Sequence, residues 1–548
     1  MLFALILGCG ENKMELHFNR FINTHLEKVK PLMKEMNTSY WNASISGEKE
    51  NFAKYTALEV EWRTIYSDTN DFAQLKKIKE SDHIKNPTLK RQLDLLYNAY
   101  LGNQVDPVLL KRMVVKSTAV ENKFNVFRGT IKGRKVTANE IKEILKTETD
   151  NNKRRAAWLA SKQVGAEVGA DIIELVKIRN EAAKKLGFEN YYTLSLSLTE
   201  QDINVLTTLF NELAELTTKP YITLKVEIDS VLAEKYNVAV EYLMPWHYHD
   251  PFFQEAPHVY DIDLNKYFAD QNLQNLARNF YNNIGLNVDD ILDRSDLYEK
   301  EGKNPHAYCI HIDRNGDVRV LANLKNNEEW MATMLHELGH GVYDKYLDFK
   351  LPFLLREPAH IFTTEAVAML FGRLSRNANW IQQMTGISDK ERDQISVALA
   401  KSLRLQQLIF ARWCQVMFRF EQELYQNPDQ DLNSLWWDLV EKYQKIRRPP
   451  DRNKPDWAAK IHFTCSPVYY HNYLLGELLA SQIHFYLVKN VLELETDINV
   501  SYVDQVEVGD FLKNKIFALG TKFNWNEMIK NATGEYLSPR YFVHQFIR

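Results

Sequence analysis

Apolar residues recur at three- and four-residue spacing along most of this chain, in runs longer than strands sustain. The pattern predicts helices over 15–36, 48–66, 86–101, 106–124, 138–186 with a break, 201–235, 272–284, 328–347, 361–378, 388–425, 431–446 and 468–490. Only 20 Gly and 16 Pro occur in 548 residues, which suits long helices with few tight turns. No 20–50-residue repeat and no Gly/Ser linker divides the chain. A mostly α fold follows. The clearest exception is a strand at 307–312, an Asp313-Arg314-Asn315-Gly316 turn and a second strand at 317–322. An edge strand of this kind can hold an extended peptide by main-chain hydrogen bonds.

The hairpin runs directly into His336-Glu337-Leu338-Gly339-His340. Asn326-Asn327-Glu328-Glu329 reads as a helix start, and Met331, Met334, Leu335, Leu338 and Val342 mark an apolar helical face. Residues four apart lie one turn apart on one side of a helix, so both imidazoles can reach a single zinc ion at about 2.0–2.1 Å. Glu337 lies beside them as a general base for an attacking water. The plain alternative is a chance match on a core helix. A catalytic zinc needs a third protein ligand, and Glu357, His360 and Glu365 are the downstream candidates. Spacing does not choose among them. Glu365 is preferred because Thr363–Leu370 reads as a second helix, whereas Arg356 and Pro358 flank Glu357 as in a loop ion pair. Tyr343 and Tyr346 stand where an extended HExxHxxGxxH site needs Gly and His, which excludes that class.

A net charge of −4 argues against a general nucleic-acid binder. Lys153-Arg154-Arg155 reads as a solvated helix face. Four cysteines with no C-x-x-C are too few for a disulfide framework. Met1–Gly10 is a short apolar run ending in Gly-Cys-Gly and resembles the end of a bacterial lipoprotein signal, although a basic n-region is missing. Residues 1–9 are therefore expected to be a signal remnant, with Cys9 as a lipid anchor in the bacterial cell envelope. If they are not a signal, a cytoplasmic protein is expected. Residues 10–548 are expected to form one helical domain.

Residues 451–467 read as a loop carrying Lys460 and His462, followed by a helix bearing Tyr470 and Tyr473. Taken singly, such residues usually serve packing. Together with the zinc motif, the chain resembles the angiotensin-converting-enzyme family of zinc peptidyl-dipeptidases, with a broader likeness to thimet-type oligopeptidases. Leu351–Pro358 is similar to that family's LPxxLRE stretch, Thr364-Glu365-Ala366 to its third-ligand segment, Lys460–Phe463 to KFHI and Tyr470–Tyr473 to its Tyr-x-x-Tyr segment. His306-Ala307 precedes His336 as a His-Ala pair does in the family.

The resemblance implies two helical lobes around a deep channel, with a small hairpin beside the zinc site. It implies His336, His340 and Glu365 as Zn2+ ligands and Glu337 as base, then acid. Tyr473 and His462 would stabilise the oxyanion, His306 would hold substrate, and Lys460 with Tyr470 would grip a C-terminal carboxylate. Three departures stand out. Met369 replaces a carboxylate that orients a zinc histidine, Asn472 replaces the chloride-binding Arg, and no carboxylate-binding Gln is found near Trp246-His247-Tyr248. Unstructured oligopeptides are the expected substrates, with release of short C-terminal fragments. The alternatives are endo-acting cleavage of the thimet type and a non-catalytic peptide binder. The sequence leaves oligomeric state open.

Overall fold

The computed structural model describes residues 13–257, 259–260, 262–496 and 499–547; Cys9 and the 1–9 segment lie outside the described residues. The chain is mostly α. It opens with α1 (Lys13–Ser46), α2 (Lys49–Tyr66), α3 (Thr69–Ser81) and α4 (Pro87–Gly102). Phe18, Ile22, Tyr66, Leu75, Leu93 and Tyr100 give these helices a small core of their own, joined by Leu354 from far along the chain. Next come α5 (Pro107–Val126), a short hairpin β1 (Gly129–Ile131) and β2 (Arg134–Val136), α6 (Ala138–Thr147), α7 (Asn151–Lys185), α8 (Tyr191–Leu198) and α9 (Ile203–Tyr236). The break in the 138–186 pattern has a local cause. The Asp150 carboxylate accepts the N–H groups of Asn152 and Lys153 and starts α7 afresh.

The second half contains α10 (Leu273–Asn283), α11 (Asp289–Arg294), the antiparallel hairpin β3 (Tyr308–His311) and β4 (Val318–Leu321), α12 (Glu328–Lys345), α13 (Ile361–Gly372), α14 (Ala378–Thr385) and α15 (Asp389–Gln426). It ends with α16 (Leu432–Gln444), α17 (His462–Cys465), α18 (His471–Tyr486), α19 (Val506–Lys515), α20 (Trp525–Thr533) and α21 (Arg540–Phe546). One apolar core runs from Val120 to Phe546. Among the described residues no helix is long and apolar enough to cross a membrane.

Several expectations need correction. α1 continues to Ser46 rather than stopping at 36, because Trp41 packs on Ile312 and Leu321 of the hairpin. The Asn37 amide also donates to the carbonyls of His311 and Ile312, both at 3.2 Å. The helix expected over 361–378 ends at Gly372, and Asn377 caps a new one by accepting the N–H of Trp380. α3, α8, α19, α20 and α21 carry short or weak apolar faces and were not predicted; α3, for example, buries only Leu75 and Ile78. Arg154 is no solvated charge. It is fully buried, donates to the carbonyls of Trp246 (3.0 Å) and Glu148 (2.7 Å), and lies over the Tyr236 ring.

Candidate active site

The site begins with two helices that touch at backbone distance. A Cβ on Gly339 would lie 2.7 Å from Ala368 Cα, so only glycine lets α12 approach α13 this closely. That approach faces His336 and His340 toward Glu365. The two Nε2 atoms are 3.2 Å apart, and one Glu365 oxygen lies 3.6 Å from the first and 3.8 Å from the second. Donor atoms around a tetrahedral zinc are spaced about 3.3 Å apart, given bond lengths of about 2.0–2.1 Å. Two imidazole nitrogens and one carboxylate are also a donor set that zinc accepts, so the residues present fit the ion. Thr364 Oγ1 lies 2.8 Å from His340 Nδ1 and, by accepting its proton, leaves the Nε2 lone pair free. Met369 sits where the family's orienting carboxylate is expected, with its sulfur packed near Gly476.

Glu357 and His360, the other third-ligand candidates, stand elsewhere on the same cavity wall. Glu357 pairs with Arg314, and His360 caps α13 by accepting the Phe362 N–H at 3.2 Å. The cavity has a volume of 760 Å³. Met33, Met36 and Trp62 of α1 and α2 line one side, and Ala307, Tyr308, Cys309 and His311 bring the hairpin to another. The strand expected beside the site is therefore there. Asn37 already occupies the His311 carbonyl, while the Cys309 N–H turns to the Glu337 carboxylate.

Burial, then the charge of Glu365, pushes Glu337 up to about 8. Burial lowers His336 to about 4 and His340 to about 3, so neither imidazole carries a proton that would repel a cation. A divalent ion beside Glu337 would draw its value back down by Coulomb attraction.

The 460–473 segment supplies the other predicted residues. Lys460 is buried and donates to Gln254 Oε1 at 2.6 Å, with the rings of Tyr470, Trp413 and Phe252 around its ammonium. Its charge has no carboxylate in contact among the described residues, and burial lowers it to about 8. Tyr470 receives the Trp413 indole N–H at 2.8 Å, and its own hydroxyl lies 3.5 Å from Gln254 Oε1. His462 packs edge-on against Tyr470 and keeps a buried Nδ1 with no hydrogen-bond partner among the described residues. Tyr473 is half-buried, packed edge-on against Tyr469 and Tyr470; burial raises its phenol, and the Glu365 charge adds to that. His306 is exposed, and it is its neighbour Ala307 that lines the cavity.

No carboxylate-binding Gln is found near Trp246-His247-Tyr248 in the sequence, yet the structure sets Gln254 beside Lys460. The Asp250 carboxylate accepts the N–H groups of Phe252 (2.9 Å) and Gln254 (3.0 Å), and Phe253 adopts a positive φ of 51°. This turn brings Gln254 back to Lys460 from six residues beyond Tyr248. The family motif showed no glutamine at the aligned place; an Asp-Pro turn ahead of it was the available signal.

Tyr469, Thr364, Arg179 and Glu421 were also missed. Arg179, buried on α7, donates to the carbonyls of Phe463 (2.9 Å) and Thr464 (2.7 Å) and to the Tyr425 hydroxyl (3.0 Å). Glu421, buried on α15, accepts the Val468 N–H at 2.7 Å. These two buried side chains hold both ends of the link between His462 and Tyr469. Asn472 is tied into a neutral network, accepting from Gln201 at 2.8 Å.

The family model for angiotensin-converting enzyme matches residues 12–542 of the chain. A thermostable carboxypeptidase 1 from Pyrococcus furiosus is 21% identical over 250 residues, 41% of this chain and 49% of the relative. An angiotensin-converting enzyme from Theromyzon tessulatum is 21% identical over 304 residues, 53% of this chain and 49% of the relative. An inactive angiotensin-converting-enzyme-related protein from Caenorhabditis elegans is 23% identical over 234 residues, 42% of this chain and 25% of the relative. The chain thus spans about half or less of the length of these relatives.

Proposed function

We propose that this chain, which belongs to the angiotensin-converting-enzyme family of metallopeptidases, hydrolyses unstructured oligopeptides with the help of one zinc ion and releases short fragments from their C-terminal end. The convergence of His336, His340 and Glu365 beside Glu337 in a 760 Å³ cavity carries the reading. A zinc ion held by those three side chains would supply the positive charge that acidifies water and polarises the scissile carbonyl. Glu337 takes the proton from the attacking water and passes it to the leaving amine. Tyr473 and His462 offer donors to the oxygen that becomes negative. Ala307, just before β3, lines the cavity where an extended substrate backbone would lie. Lys460 and Gln254, with Tyr470, receive the terminal carboxylate. The full set of ligands and base supports this reading over a pure binder, which has no use for Glu337.

The carboxylate grip is open to direct test. A charge-assisted contact in a partly desolvated site contributes about 1.5–3 kcal/mol, or about ten- to a hundredfold in kcat/KM. A peptide with a free C-terminus is therefore expected to react faster than its amidated twin by about that factor at pH 7. Lys460, lowered to about 8, is charged below that value and neutral above it. The preference is expected to shrink as pH rises from 7 to 9.5, and Lys460→Ala is expected to remove it at every pH. Equal rates on both ends at pH 7 would favour endo-acting cleavage. Asn472 holds no cationic group, so chloride is expected to leave the rates unchanged.

We also propose that Cys9 carries a lipid in the cell envelope, on the Gly-Cys-Gly pattern alone. Cells expressing the native gene are expected to hold the protein in their membrane fraction, and Cys9→Ala is expected to release it. A wholly soluble wild-type product contradicts this.

A further inference from the structure

Space beside His336 continues past the residues used so far. Thr333, Met369, Gln406 and Gln407 line a pocket of 320 Å³ that still includes His336 and Glu337. The Ala256 N–H donates to Gln406 Oε1 at 2.8 Å, two residues from Gln254, so this pocket lies on the side where Lys460 reads the substrate's end. Its far wall, Arg373, Arg376 and Leu403, is shared with a second cavity of 320 Å³.

The two cavities differ in sign. Glu328 and Glu477 face the first. Each is already engaged: Arg376 gives Glu328 two bonds of 2.9 and 3.0 Å, and Arg373 pairs with Glu477. Arg373, Arg376, Lys401 and Arg404 line the second, and no carboxylate is among its described lining residues. Lys401 stands exposed at its rim, with no ion pair among the described residues. The buried Nε–H of Arg373 has no hydrogen-bond partner among them either. Burial lowers Arg373 from the usual arginine range, and Glu477 is its ion-pair partner. A carboxylate entering there gains the planar, multiple-donor contact that guanidinium groups offer.

We propose that Arg373, Arg376, Lys401 and Arg404 form a carboxylate-binding annex that receives an acidic side chain of the fragment released from the substrate's C-terminal end. The proposal rests on the peptidase reading above. It makes the enzyme selective for peptides with Asp or Glu near the C-terminus, a specificity that the zinc motif and the Lys460 grip do not set.

The test uses zinc-loaded Glu337→Gln protein, so that binding is read without turnover, and three peptides differing at one residue near the C-terminus: Glu, Gln or Lys. Calorimetry is expected to show the Glu peptide binding about five- to fiftyfold tighter than the Gln peptide. Adding Lys401→Glu is expected to bring the two within about twofold, and Lys401→Ala to fall between. Glutarate serves as the free-carboxylate probe and is expected to compete with the Glu peptide. Equal affinity for Glu and Gln overturns the proposal. If glutarate still binds in that case and Lys401→Glu abolishes it, the site belongs to a free carboxylate instead. Tightest binding of the Lys peptide also overturns it, and assigns the pocket to Glu328 and Glu477. Hydrolysis of the Gln peptide by wild type is scored separately: its absence defeats the peptidase reading, while the calorimetry still decides the annex.

Discussion

Glu337→Gln is expected to keep its zinc and lose turnover by about three to four orders of magnitude. The change preserves size and the contact with the Cys309 N–H, because the amide oxygen accepts as the carboxylate does. It removes no ligand: His336, His340 and Glu365 are untouched. What disappears is the group that accepts the water's proton and returns it to the amine. Metal content by atomic absorption and kcat on one unstructured peptide measure the two halves of this expectation. Near-normal turnover in a zinc-replete variant would mean that another residue is the base.

Removing the metal is expected to abolish activity outright, and added zinc to restore it. His340→Ala and Glu365→Gln are expected to bind zinc too weakly for stoichiometric loading, since each deletes one of three protein ligands. Thr364→Val is the graded member of the set. It removes the oxygen that holds His340 Nδ1, and loss of such an orienting contact typically costs about ten- to a hundredfold in metal affinity. Competition with a calibrated chelator measures all four proteins on one scale. Chelated wild type that still cleaves peptide would exclude a catalytic zinc.

How much of this was legible in the sequence depended on whether the information was local. His336, Glu337 and His340 lie within one turn of helix, so periodicity alone put them on one face. Glu365 was reachable by residue type and element, but its distance to the pair depends on Gly339 against Ala368, a contact no window of sequence displays. Long helices such as α7, α9 and α15 were visible because their apolar faces repeat many times. The second half of α1 was not, because Asn37 and Trp41 are justified only by the hairpin nearly three hundred residues away. Arg154 looked like a surface charge until the 246–248 segment closed over it. Gln254 was hidden by a turn that the Asp250 carboxylate builds from backbone N–H groups. Lys460, His462, Tyr470 and Tyr473 were legible as a family likeness rather than as physics; the structure adds that Lys460 is a buried charge that donates to a glutamine oxygen among three aromatic rings.

The most direct test of the central claim is mass spectrometry of the products from one unstructured peptide with a free C-terminus, sampled over time with zinc-loaded and chelated wild type. Short C-terminal fragments that appear one after another, only with zinc present, and that are suppressed when the C-terminus is amidated, are the predicted result. Internal cleavage indifferent to the C-terminus, or no cleavage by protein that carries its zinc, would contradict it.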